Sequence, residues 1–223
     1  MKDPLNNWKR KFFYHLVCAI CQPALSVSRQ AVTMGLENIN DTSGAFLVAA
    51  NHSSPYDIAL LLSHSRRYLD FVSSKEAFQN PFTRRLYGGM GAFPLDRSRP
   101  DAGTVRTILE RLQHGRAVAM FPEGGVRLSE KSLLGNGTIR RGLGRICMLA
   151  QVPVIPVVII GSEKYSKPAA WVPFARTRYG IYFGKPLAPP KADADEEATN
   201  AFEARYIEAM RGMRRELVER MKK

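Results

Sequence analysis

Short apolar runs recur along the chain, each closed by glycine, proline or a polar cluster: AFLVAA (45–50), YLDFVS (68–73), GAFPLD (91–96), AVAMF (117–121), VPVIPVVII (152–160) and RYGIYF (178–183). Runs this short and this rich in Val, Ile and Phe predict buried strands. Between several of them the apolar positions shift to a helical period. Val105, Ile108, Leu109 and Leu112 make one stripe, with Gly115 as a stop beyond it, and Ile139, Leu143, Ile146 and Ala150 make another. The polar, proline-marked stretch 188–200 predicts a connection. A terminal helix is expected from about residue 201, with Phe202, Tyr206, Met210 and Met213 on one side. Strands alternating with helices predict an α/β fold, a largely parallel sheet flanked by helices.

The N-terminal stretch follows another pattern. Trp8, Phe12, Leu16 and Ala19-Ile20 run at helical spacing, and Lys9, Arg10 and Lys11 crowd the start. An amphipathic helix of this kind either packs on a core or lies in a membrane interface. It is too short and interrupted to span a bilayer, which takes about 20 mostly apolar residues. No small-residue cleavage site follows it, so no secretory signal is expected. The chain length favours one domain, 31–223, preceded by this helical segment, 1–30.

Charge adds a partner class. Thirty-three Lys and Arg against twenty Asp and Glu leave a formal charge of +13, which implies an anionic partner: a nucleic acid, an acidic membrane surface or a phosphorylated substrate. Nucleic acid fits poorly, because no recognised binding motif and no basic stretch interleaved with stacking aromatics is present. The cysteines number three, an odd count that fits a reducing compartment rather than a disulfide framework. Cys18 and Cys21 have C-x-x-C spacing, but with no second pair they read as small apolar side chains. His15, His64 and His114 stand apart without ligand spacing, so no metal site is implied.

The candidate chemistry sits immediately after the predicted strands. In LVAANHSSPYDIALLLS the strand ends at Asn51-His52, and Asp57 follows where a helix begins. Ser53-Ser54-Pro55 lets the chain turn, so the carboxylate can reach the imidazole and leave its other nitrogen free to take a proton. Alternatively, Asp57 serves as a helix N-cap and His52 as a turn residue. Two further stations share this placement. GAFPLDR ends in Arg97, and FPEGGVR brings Glu123, Gly124, Gly125 and Arg127. Glycine turns expose backbone N–H groups to an anion, and the arginine fork suits phosphate oxygens. In open α/β sheets such stations converge at the carboxyl ends of the strands. No G-x-S-x-G elbow accompanies Ser53 or Ser54.

These blocks, in order, resemble the glycerolipid acyltransferases of the 1-acylglycerol-3-phosphate acyltransferase (PlsC-type) family over about residues 45–187. NHSSPYD holds the family's H-x-x-x-x-D as His52 and Asp57, GAFPLDR ends in the position of its phosphate-binding arginine, Arg97, and FPEGGVR stands against F-P-E-G-T-R. VPVIPVVI matches the family's apolar block, with Pro156 as its second proline, and Lys75 matches a lysine common between the first two blocks. One departure is that Gly125-Val126 precede Arg127 where the family has a single threonine.

The resemblance implies acyl transfer from a thioester, acyl-CoA or acyl-carrier protein, to the free hydroxyl of lysophosphatidic acid, giving phosphatidic acid, with another lysolipid such as a lyso-ornithine lipid as the alternative acceptor. It implies His52 as general base, Asp57 as its orienting partner, and Lys75, Arg97, Glu123, Gly124, Gly125 and Arg127 as substrate contacts, with no cofactor beyond the donor substrate. It also tips the N-terminal helix towards an anionic membrane surface, as a peripheral or monotopic protein on the cytoplasmic face.

Overall fold

A computed structural model describes residues 8, 11–16, 18–19, 29–89, 91–95, 102–167 and 177–223. Its centre is a seven-stranded sheet of order β1-β7-β6-β2-β5-β3-β4, formed by β1 (Arg29–Met34), β2 (Phe46–Ala50), β3 (Leu69–Ser74), β4 (Phe93–Leu95), β5 (Ala117–Met120), β6 (Val154–Ile160) and β7 (Thr177–Phe183). Neighbouring strands are parallel throughout, except for the antiparallel pair β6–β7. The mixed α/β sheet expected from the run pattern is therefore present. β1 and its parallel pairing with β7 were not legible in the pattern, since RQAVTM lacks a continuous apolar run.

The flanking helices are α1 (Leu36–Asn40), α2 (Asp57–His64), α3 (Pro81–Gly89), α4 (Ala102–Gln113), α5 (Leu143–Ala150) and α6 (Glu196–Lys222). Along β2 the side chains alternate between two cores. Phe46, Val48 and Ala50 pack with Leu60, Leu61, Phe71 and Ile155, whereas Leu47 and Ala49 pack with Ile108, Leu112, Val158 and Tyr206. Every β2 residue is buried, as a parallel strand covered on both faces requires.

The terminal helix begins earlier than its apolar stripe suggests. Asp195 caps it by accepting the Ala198 N–H at 2.8 Å, and Glu196 and Glu197 lie in the first turn, where the helix dipole favours negative charge. The expected connection at 188–200 is thus helical in its last residues. Phe202, Tyr206, Met210, Met213 and Leu217 bury one side of α6, worth about 1.5–3 kcal/mol for each fully buried large side chain.

At the amino ends of β3 and β5 lies a buried ion cluster. Asp70 accepts a two-pronged contact from Arg116, through Nε at 2.5 Å and Nη2 at 2.6 Å, and Arg111 Nη1 stands 2.9 Å from the same carboxylate. Burying a carboxylate among apolar strands is tolerated because both of its oxygens are paired.

The N-terminal stretch packs on the core along one side, as the first of its two expected readings has it. Tyr14 is buried and donates its hydroxyl to the Arg67 carbonyl at 3.0 Å, and its ring meets Tyr68 edge-on. Trp8 and Phe12 on another side remain 72% and 55% exposed, an unusual state for large apolar residues. Among the described residues no helix is long and apolar enough to cross a membrane.

Candidate active site

The sheet order brings the sequence stations together. β2 and β5 are parallel neighbours with Ala49 opposite Met120, so the residues that follow them leave the sheet side by side. β3 flanks β5 in the same direction, and β4 flanks β3. His52, Phe121 to Arg127 and Lys75 therefore all emerge at the carboxyl edge of one parallel layer. The helix after β2 packs on one face of the sheet and the helix after β5 on the other, so these neighbouring strands form the topological switch point at which such sheets bind ligands.

Asn51 fixes the end of β2. Its side-chain amide donates to the Ile159 carbonyl at 2.9 Å and accepts the Ile159 N–H at 2.7 Å, so the buried amide takes the place of one more ladder pair with β6. With the backbone anchored there, the next residue, His52, has a defined direction. Its ring stacks on Phe121 with centroids 4.0 Å apart and planes 17° from parallel.

Asp57 is completely buried at the start of α2, and its Oδ2 lies 2.8 Å from His52 Nδ1. The same oxygen accepts the N–H groups of Ser53 at 2.8 Å and Ser54 at 2.9 Å. Asp57 therefore braces the turn in front of the helix rather than capping it; the residue at the cap position is Tyr56, which makes no side-chain capping bond. With Nδ1–H directed at this carboxylate, the imidazole presents Nε2 as its basic nitrogen. Ser53 Oγ lies 3.0 Å from Ser162 Oγ, an arrangement that ties the turn to the segment after β6.

The FPEGG segment departs from the sequence expectation in one respect. Glu123 is buried, and its Oε1 is occupied by the Ser132 hydroxyl at 3.0 Å and the Leu133 N–H at 2.8 Å. Burial pushes its carboxyl above the ordinary value, and the bonds from Leu133, Ser132 and the His52 backbone pull the other way. Gly124 adopts φ +72°, and a Cβ there would collide with the Arg140 side chain. The left-handed backbone favours glycine here, and a side chain would also have to displace the Arg140 guanidinium. Arg140 is exposed, and its backbone N–H bonds the Pro122 carbonyl at 2.9 Å.

Arg127 is exposed, and its backbone N–H donates to the His52 carbonyl at 2.7 Å, so the glycine turn closes directly onto the histidine. Lys75 is exposed and opens the 3₁₀ turn after β3. Arg97 lies outside the described residues. Sequence reasoning missed Asn51, Phe121, Ser132 and Arg140. Asn51 and Phe121 adjoin the motifs and could have been found by asking what holds a strand end, whereas nothing local marks Ser132 or Arg140.

Comparison with known proteins converges on one group. The family model described as Acyltransferase matches residues 31–160. The 1-acyl-sn-glycerol-3-phosphate acyltransferase of Bacillus subtilis (strain 168) is 28% identical over 152 residues, covering 68% of this chain and 70% of that protein. The chloroplastic 1-acyl-sn-glycerol-3-phosphate acyltransferase BAT2 of Brassica napus is 26% identical over 190 residues, covering 84% of this chain, which spans only 54% of that longer protein. In fold, the chain is similar to the crystal structure of the 1-acyl-sn-glycerophosphate (LPA) acyltransferase PlsC from Thermotoga maritima, with a TM-score of 0.67 at 24% identity, covering 89% of this chain and 80% of that one.

Proposed function

The chain belongs to the acyltransferase family, and from that premise we propose that it transfers a fatty acyl group from a thioester to the free hydroxyl of lysophosphatidic acid, giving phosphatidic acid. The observation that carries this reading is the His52–Asp57 pair, set at 2.8 Å against the glycine turn that closes on the His52 carbonyl. In this mechanism His52 Nε2 takes the hydroxyl proton as the oxygen attacks the thioester carbon. Asp57 stabilises the imidazolium that forms. Collapse of the tetrahedral adduct breaks the C–S bond, and the proton passes from His52 to the departing thiolate. General-base catalysis of this kind contributes about 10²–10⁴-fold.

Phe121 supports the ring from one face and keeps its plane fixed. Gly124, Gly125, Arg127 and Lys75 form the acceptor end, with Arg97 as a further phosphate contact and Arg140 above Gly124 adding positive charge. Glu123 shapes this end from beneath, since one of its oxygens is committed to the 132–133 backbone and hydroxyl. Holding acceptor and thioester in register is worth about 7–11 kcal/mol of barrier in well-oriented reactions.

The acceptor lives in a bilayer, so the enzyme works at the cytoplasmic surface of a membrane as a peripheral or monotopic protein. The exposed Trp8, Phe12 and Leu16, the exposed Val126 and Leu128 on either side of Arg127, and the charge of +13 support this placement. The test of the function is direct. Purified protein is incubated with lysophosphatidic acid, or other lysolipids, and acyl-CoA or acyl-carrier protein, and the products are identified by mass spectrometry. Phosphatidic acid is expected from at least one donor; its absence with both donors overturns the reading.

A further inference from the structure

Helix α6 lies beyond the 31–160 family match, yet it grips the segment that wraps the Glu123–Gly124 turn. Thr199, Glu203, Ile207 and Arg211 follow one another at four-residue spacing, so they form a single stripe along the helix. Glu203 Oε1 accepts the backbone N–H groups of Gly142 at 2.9 Å and Gly144 at 3.0 Å. One turn earlier, the Thr199 carbonyl sits where a Cβ on Gly144 would stand, so the two backbones touch. Two turns later, Arg211 donates through Nε to the Leu133 carbonyl at 3.3 Å and through Nη2 to the Gly137 carbonyl at 3.0 Å.

These contacts reach the site in one further step. Leu133, whose carbonyl Arg211 holds, is the residue whose N–H bonds Glu123 Oε1 at 2.8 Å. Ser132, its neighbour, supplies the other bond to that oxygen. The 129–137 loop folds tightly on itself, with Gly135 and Gly137 pressed against backbone atoms of residues 129–132, so its carbonyls lie close enough together for one side chain to hold two of them. The planar guanidinium fork reaches two of its carbonyls at once, which an ammonium does less well.

We propose that Glu203 and Arg211 are positioning residues of the active site. α6 clamps both ends of the 133–144 strap and thereby holds Glu123 and the glycine turn against His52. This rests on the acceptor-site reading given above. The physical gain is preorganisation: a turn that contacts substrate through backbone groups works only when something rigid fixes the backbone.

The experiment compares Arg211→Ala, Arg211→Lys, Glu203→Ala and Glu203→Gln with Arg205→Ala, a control on the same helix. Arg205 also donates to a carbonyl, that of Ala188 at 3.1 Å, and lies over the Phe202 ring, away from the strap. Amide hydrogen exchange at Leu133, Gly142 and Gly144, melting temperature, and kcat and acceptor KM for lysophosphatidic acid are measured for each. Arg211→Ala is expected to speed Leu133 exchange and to lower kcat/KM about tenfold, the size expected for losing a charge-assisted hydrogen bond. Its melting temperature should fall no further than that of Arg205→Ala. Glu203→Gln, which keeps an acceptor oxygen, should restore most of what Glu203→Ala loses. In a Glu123→Ala background Arg211→Ala should add little further loss of activity. Unchanged Leu133 exchange in Arg211→Ala, or an equal loss of kcat/KM in Arg205→Ala, overturns the proposal. If wild-type protein fails to acylate lysophosphatidic acid, the functional reading falls, whereas the exchange data still decide whether α6 holds the strap.

Discussion

Asp57 Oδ2 stands 2.8 Å from His52 Nδ1 and gathers two backbone N–H groups besides, so one carboxylate oxygen fixes both the ring and the turn that carries it. Removing the base and removing its support should therefore differ. His52→Ala is expected to lower acyl transfer by about 10²–10⁴-fold with the fold intact. Asp57→Asn should fall between this variant and wild type, since an amide keeps an acceptor oxygen but not the charge that steadies an imidazolium. Single-turnover assays with circular dichroism check both, and a His52→Ala variant retaining a tenth of wild-type turnover sinks the assignment.

Asn51→Ala tests the anchor behind the histidine. The substitution leaves the Ile159 N–H and carbonyl without their side-chain partners in a buried setting, at a cost of about 1–3 kcal/mol. Activity per folded molecule should drop as well, because the His52 backbone loses its fixed end. Denaturant melts alongside kcat separate the two effects; a loss of stability with kcat untouched would show that Asn51 does not position His52.

Glu123→Gln should give a pH-dependent difference in stability. Burial raises the folded-state pKa of Glu123 above its unfolded value, so folding favours the protonated form. That favourable contribution is complete below the unfolded pKa and is lost as pH rises through the folded one. Gln keeps an acceptor for Leu133 and Ser132 without a buried charge. The variant should thus be most stable relative to wild type at neutral and alkaline pH, with the difference closing as pH falls through the carboxyl range. Thermal melts across that range are the measurement, and a gap that widens towards acid pH contradicts the sign.

Asp70→Ala should destabilise without disabling. It leaves Arg116, itself buried, without its carboxylate, and breaking a buried pair from one side costs about 3–5 kcal/mol. The cluster lies at the amino ends of β3 and β5, away from the carboxyl edge that carries His52. Activity per folded molecule should hold below the melting transition while the melting temperature drops by several degrees. A large loss of kcat at full fold content would mean that the two edges of the sheet are coupled.

The sequence by itself determined whatever depends on neighbours along the chain. Short Val- and Ile-rich runs gave most of the strands, since a strand buried on both faces is apolar at consecutive positions. His52 and Asp57 were legible because five residues and a serine-proline turn suffice to join them. The edge strand β1 was not, because its place depends on β7, with Arg29 opposite Thr177. The direction of Glu123 was equally hidden: its motif suggested a substrate contact, and only the packed strap turned one of its oxygens inward to Ser132 and Leu133. Asn51 meets Ile159 across 108 residues, and Arg211 meets Leu133 across 78. Such pairings leave no period and no local turn signal, because what brings them together is the order of strands in the sheet and the face on which α6 lies down.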